Sequence, residues 1–170
     1  TRRSSDLPGQ MNQLRPESIP EEVIAGASAL VLSSYLVRCK EGEPMKAATL
    51  QAIEYAKKHD VPVVLTLGTK YVIADNPQWW RDFLKENVTI LAMNEDEALE
   101  LTGLSDPLTA SDMALEWVDL VLCTAGPNGL YMAGYTEEAN KRQTQHPLLP
   151  GHIAEFNRYE FSRAMRREHC

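Results

Sequence analysis

TILAMNEDEALELTG, residues 89–103, decides the fold. Its first residues are apolar and β-branched and read as a strand, TILAMN. Its remainder, EDEALELTG, reads as a helix closed by Gly103. A strand handing over directly to a capped helix is half of a βαβ unit. Asn94 is a favoured N-cap, and Glu97 three residues later completes a capping box, while Glu95 and Asp96 suit the positive end of the helix dipole. The same geometry has a second use. An amide and a carboxylate one turn apart, at a strand's carboxyl end, can hold hydrated Mg²⁺ and orient a nucleotide phosphate. The two uses do not exclude each other, and the residues alone leave both open.

Working outward, the pattern repeats. Residues 1–20, rich in Pro, Ser, Arg and Gln, read as a loosely ordered lead-in to a domain spanning 21–170. A short helix is expected over Glu21 to Ala25, followed by a buried strand, SALVLSSYLV (28–37). PMKAATLQAIEYAKKHD (44–60) has helical apolar spacing with Lys57 and Lys58 in its last turn. VPVVLTLG (61–68) is the next strand. NPQWWRDFLKENV (76–88) is a helix with Asn76 as N-cap and Pro77 at its first position. Beyond the opening stretch, SDMALEWV (111–118) predicts a helix and DLVLCTAG (119–126) a strand. The PNG turn leads to LYMAGY (130–135), an antiparallel hairpin partner. The tail RYEFSRAMRREHC (158–170) reads as a basic amphipathic helix.

Alternating strands and helices imply an α/β fold, a three-layer α-β-α, Rossmann-like arrangement around a largely parallel sheet. Ligands in such folds bind off the carboxyl ends of the strands. Thr124, Gly126 and Gly129 in CTAGPNGLYM (123–132) stand at one such end. They make an ordinary tight turn, and the same Thr-x-Gly-x-x-Gly can expose a hydroxyl and backbone N–H groups to phosphate oxygens. Thr66, Gly68, Thr69 and Lys70 stand at another end, without forming a Walker A loop. Trp79 and Trp80 adjoin on one helix, so one belongs in the core and its neighbour half outside. Cys123 reads as a buried small apolar residue.

Composition narrows the function. The 170 residues carry a net charge of −7, which argues against nucleic-acid or membrane-surface binding. Cys39, Cys123 and Cys170 form no CxxC, and the four histidines make no zinc spacing. With no apolar run of membrane length and no signal-peptide core at its start, the sequence predicts a cytoplasmic protein.

In this order, TLGTKYVI, TILAMNEDEA and DLVLCTAGPNGLYMAG resemble the middle of the ribokinase family of carbohydrate and nucleoside kinases, the phosphofructokinase-B type. The family's Asn-x-x-Glu matches Asn94 and Glu97, and its Thr-x-Gly-x-x-Gly matches Thr124, Gly126 and Gly129. The likeness runs from about Pro8 to Cys170 and implies an incomplete ribokinase-like domain. SALVLSSYLVRCKEGEP, IEYAKKHDVPVVLTLGTK and HPLLPGHIAEFNRYEFSRAMR are similar to the bacterial members that phosphorylate inosine and guanosine.

The resemblance implies ATP- and Mg²⁺-dependent transfer of the γ-phosphate to the ribose 5′-hydroxyl of inosine or guanosine. It places Asn94 at the nucleotide phosphates, Glu97 behind the water shell of Mg²⁺, and Thr124 to Gly129 beside the phosphates and sugar. The family's Gly-Ala-Gly-Asp, which supplies the base and an anion hole, occurs nowhere in the 170 residues. Asp75, Asp106 and Asp119 do not follow a Gly-x-Gly, so none replaces it. The Gly-Gly-Asn substrate site and the lid strands have no counterpart either, which assigns base reading to residues outside this sequence. The expectation is a kinase by ancestry without turnover by this chain alone, with a non-catalytic nucleotide-binding or interaction module as the alternative. Where the absent strands would pair, an exposed sheet edge favours self-association.

Overall fold

The computed structural model describes residues 14–38, 43–126 and 129–134, together with the backbone of 159–161. A six-stranded sheet runs in sequence order: β1 (Leu30–Ser33), β2 (Val63–Thr66), β3 (Ile90–Asn94), β4 (Leu120–Thr124), β5 (Leu130–Gly134) and β6 (Tyr159–Phe161). The first four strands are parallel and the last two antiparallel. The helices are α1 (Glu21–Ala25), α2 (Pro44–Lys58), α3 (Lys70–Ala74), α4 (Pro77–Asn87), α5 (Glu95–Thr102) and α6 (Pro107–Ala114). Among the described residues no helix is long and apolar enough to cross a membrane.

Caps explain where the helices begin. The Asn76 side chain accepts from the Trp79 N–H at 3.1 Å, ahead of Pro77. Asp106 does the same for Thr109 at 2.9 Å, ahead of Pro107. This Asp-Pro start parallels Asn76-Pro77, yet apolar spacing placed the helix at 111–118, four residues too late. The strand expected over 28–37 stops at Ser33 and turns into a 3₁₀ helix, Ser34–Leu36. Two serines cause this: Ser34 Oγ donates to the Leu67 carbonyl, and Ser33 Oγ accepts from the Tyr35 N–H at 3.4 Å. Such local side-chain bonds compete with the strand ladder.

The tail departs further from expectation. Tyr159–Phe161 pairs with β5 as a strand, where a basic amphipathic helix was expected, because an antiparallel edge offers its backbone a ladder of partners. The rest of that stretch lies outside the described residues. At the other end, Pro16–Ser18 forms a 3₁₀ turn and Ile19 packs against the core. That turn belongs to the part of the lead-in that is described.

One apolar cluster organises the molecule. Leu32, Val63, Leu65, Leu91, Met93, Val121 and Cys123 alternate along the strands and meet Ile53 of α2, Leu84 of α4, Leu101 of α5 and Ala110 of α6. Trp80 is buried there, and Trp79 packs half-buried beside it, as the adjacent pair requires. The opposite sheet face is also apolar, with Val31, Val64, Ile90, Ala92, Leu120 and Leu122, but none of these is buried. Among the described residues the helices therefore cover one face. Val31, on edge strand β1, is 68% exposed.

Candidate nucleotide site

β3 and β4 set the site by register. Asn94 and Thr124 are direct partners at the carboxyl ends of adjacent parallel strands. Glu97 follows one turn into α5, and Gly126 two residues beyond β4. All four lie at one edge of the sheet, and Gly129 closes the turn there. The Ala125 N–H donates to the Gly129 carbonyl at 2.8 Å, while the Gly129 N–H reaches the Gly126 carbonyl at 3.3 Å. Gly126 and Gly129 have φ of +46° and +103°, left-handed conformations that favour glycine.

A cleft of about 350 Å³ opens along this edge, lined by Thr66, Gly68, Asn94, Glu97, Thr124 and Leu130. Asn94 and Glu97 form a complete capping box. The Glu97 N–H donates to Asn94 Oδ1 at 2.9 Å, and the Asn94 N–H donates to Glu97 Oε2 at 2.9 Å. Glu97 as a residue is 2% exposed. Burial pushes its pKa above the usual range, the Asn94 N–H pulls it back, and the Asp96 charge raises it again. Capping and lining the cleft are thus properties of the same two side chains.

The candidate residues of 66–70 divide between two places. Thr66 and Gly68 line the cleft, whereas Thr69 lines a second cavity of about 490 Å³ with Tyr35, Val37, Arg38, Lys46 and Trp79. Lys70 reaches Asp96 on α5 at 3.2 Å, tying α3 to the head of α5. Gly68 separates the two spaces. Its φ is +73°, and an added Cβ would stand 3.1 Å from Tyr35 Cε2. Tyr35 was not read as a site residue, because the strand expected over 28–37 put it inside an ordinary ladder; Arg38 falls just past that strand's carboxyl end, where ligands were expected to bind. The Ser33-Ser34 pair was the available signal that the strand would end.

The donors of the first cleft are hard oxygens, the class that suits Mg²⁺. Among the described residues no group of three or more His, Cys, Asp or Glu gathers into a metal-ligand set. A single buried carboxylate fits an ion that keeps its waters and takes further oxygens from a phosphate.

The order of the strands and the helices that cover them are those of the ribokinase-like fold. An adenosine kinase from Sinorhizobium meliloti superposes with a TM-score of 0.63 at 21% identity, over 71% of this chain and 36% of that one. A putative ribokinase II from E. coli, solved in complex with ATP and Mg²⁺, superposes with a TM-score of 0.58 at 20% identity, over 72% of this chain and 40% of that one. In sequence, the chain is 78% identical over 163 residues to the guanosine-inosine kinase of Escherichia coli K12. That match takes in 96% of this chain and 38% of the relative's length. No protein-family model matches the chain.

Proposed function

We propose that this chain is the nucleotide-binding portion of an ATP-dependent purine nucleoside kinase, acting on inosine and guanosine in purine salvage. One observation carries the proposal: Asn94, Glu97, Thr124 and Gly126 meet at the carboxyl edge of one sheet, and the first three line a cleft there. The identity to guanosine-inosine kinase supports the choice of acceptor.

In this reading Asn94 orients the phosphates, the turn from Thr124 to Gly129 offers a hydroxyl and N–H groups to them, and Glu97 stands behind the metal's water. Mg²⁺, bound with the nucleotide, supplies neutralisation of phosphate charge. Phosphoryl transfer rests on positioning and charge stabilisation, and the Gly-Ala-Gly-Asp that would add a base and anion hole is absent from these 170 residues. The chain alone is therefore proposed to bind ATP·Mg²⁺ without turnover. The three scattered cysteines support a reducing, cytoplasmic setting.

Calorimetry with ATP·Mg²⁺ tests the binding, and a search for inosine monophosphate after incubation with labelled ATP and inosine tests the turnover. Binding without product is the expected result. Absence of ATP binding would refute the site. Product formation that vanishes in Glu97→Ala would refute the assignment of the base to other residues.

A further inference from the structure

We propose that Lys70 is a further phosphate-holding residue of the donor site: Asp96 keeps it in the absence of nucleotide, and the terminal phosphate of ATP takes it over. This deepens the kinase reading and rests on it for the presence of ATP in the cleft. The charge of the cleft calls for such a residue. Among the described residues its walls carry Glu97 and no cation. Glu95 and Asp96 add two more carboxylates at the head of α5. A triphosphate entering there meets all three, and Mg²⁺ offsets only part of that charge. Lys70 is the cation already at that place. Its ammonium donates to Asp96 Oδ2 at 3.2 Å, and Asp96 directly precedes Glu97 in the wall of the cleft.

Strand order selects the terminal phosphate. β2, β3 and β4 lie side by side and parallel, so their carboxyl ends share one edge. In the proposed site the turn after β4 takes the sugar and the nearer phosphates, and Asn94 ends β3. The phosphate chain therefore runs from β4 toward β2. Lys70 opens α3, four residues beyond the end of β2, and reaches the head of α5 from that side. It meets the end of the chain that leaves the nucleotide.

The exchange asks little of the protein. The side chains of Lys70 and Asp96 are 39% and 64% exposed, so water screens their bridge and it is weak. Asp96, once released, stays in the first turn of α5, where the helix dipole favours its charge. An ammonium on a flexible stem is a point charge with three donors, so it changes oxygens without repacking its surroundings. On a phosphate its hydrogen bond is charge-assisted from both sides.

Titration calorimetry of ATP·Mg²⁺ and ADP·Mg²⁺ into wild type, Lys70→Met, Lys70→Arg and Asp96→Asn tests the exchange, with melting temperatures measured alongside. Lys70→Met should weaken ATP binding by about tenfold or more, as loss of a hydrogen bond to a charged group does, and ADP binding by less than about threefold. Lys70→Arg, which keeps the charge and its donors, should recover most of the ATP affinity. Asp96→Asn removes the competitor and should tighten ATP binding by about two- to fivefold. All three variants should melt close to wild type, because the bridge is exposed. A bridge that only ties α3 to α5 would lower the melting temperature in Lys70→Met and Asp96→Asn alike and leave nucleotide affinity unchanged, and that result overturns the proposal. Equal losses of ATP and ADP affinity in Lys70→Met overturn it as well. If wild type binds no ATP, the donor site itself falls and the proposal with it. ATP binding that Lys70→Met leaves unchanged refutes Lys70 alone and spares the kinase reading.

Discussion

Asn94 is asked to do two things, and two substitutions separate them. Asn94→Ala removes the oxygen that accepts the Glu97 N–H at 2.9 Å. Loss of an N-cap side chain costs about 0.5–2 kcal/mol. The Glu97 N–H is partly buried, so water replaces the lost acceptor poorly, and the cost should fall in the upper half of that range. For a chain of this size, the melting temperature should drop by roughly 3–8 °C. Asn94→Asp keeps an acceptor in place and caps about as well as Asn, so its melting temperature should stay within about 2 °C of wild type. Its effect on binding should be the larger one. It sets a fourth carboxylate beside Glu95, Asp96 and Glu97, facing the proposed triphosphate. One added charge at about 5 Å, with an effective dielectric constant of about 20, costs about 3 kcal/mol, roughly a hundredfold in Kd. Scanning calorimetry gives the first quantity and titration calorimetry with ATP·Mg²⁺ the second. Unchanged ATP affinity in Asn94→Asp would reduce Asn94 to a cap. An unchanged melting temperature in Asn94→Ala would show that the box contributes nothing to the fold.

Three further outcomes are expected. Burial raises the Glu97 pKa above 4.5, so the folded state holds that proton more tightly than the unfolded chain, and stability falls as pH rises from about 4.5 through the raised value. Glu97→Gln keeps a capping partner and should flatten that slope in urea melts between about pH 4 and 7; parallel slopes in both proteins would contradict the assignment. Burial pushes the Cys123 thiol up to about 11, with a Ser111 hydrogen bond opposing it, so peptide mapping after alkylation at neutral pH should find Cys123 unlabelled until the protein is denatured. Self-association is proposed to involve the exposed sheet edge, and Val31→Lys on edge strand β1, at a position 68% exposed, should shift sedimentation profiles toward monomer without lowering the melting temperature. Identical sedimentation of variant and wild type would clear this edge of that role.

What the sequence determined by itself is whatever short-range chemistry controls. Asn94 and Glu97 are three residues apart, so their capping box needed no knowledge of the rest of the chain, and it is present. Asn76-Pro77 marked its helix for the same reason. β-branched runs separated by helix-length segments were enough to imply parallel strands, and hence that their carboxyl ends share an edge. Only tertiary structure could decide what crosses between segments. The strand β1 ends at Ser33 because Ser34 finds the Leu67 carbonyl, 33 residues away. Asn94 opposes Thr124 because β3 and β4 pair in one particular register. Tyr35 takes its place at the second cavity with its ring against Gly68, which has no Cβ to obstruct it. The exposure of one apolar sheet face was equally invisible in the sequence. Hydrophobic alternation records that a strand has apolar faces, but which of them is covered depends on where the helices return, and that is settled by packing across the whole chain.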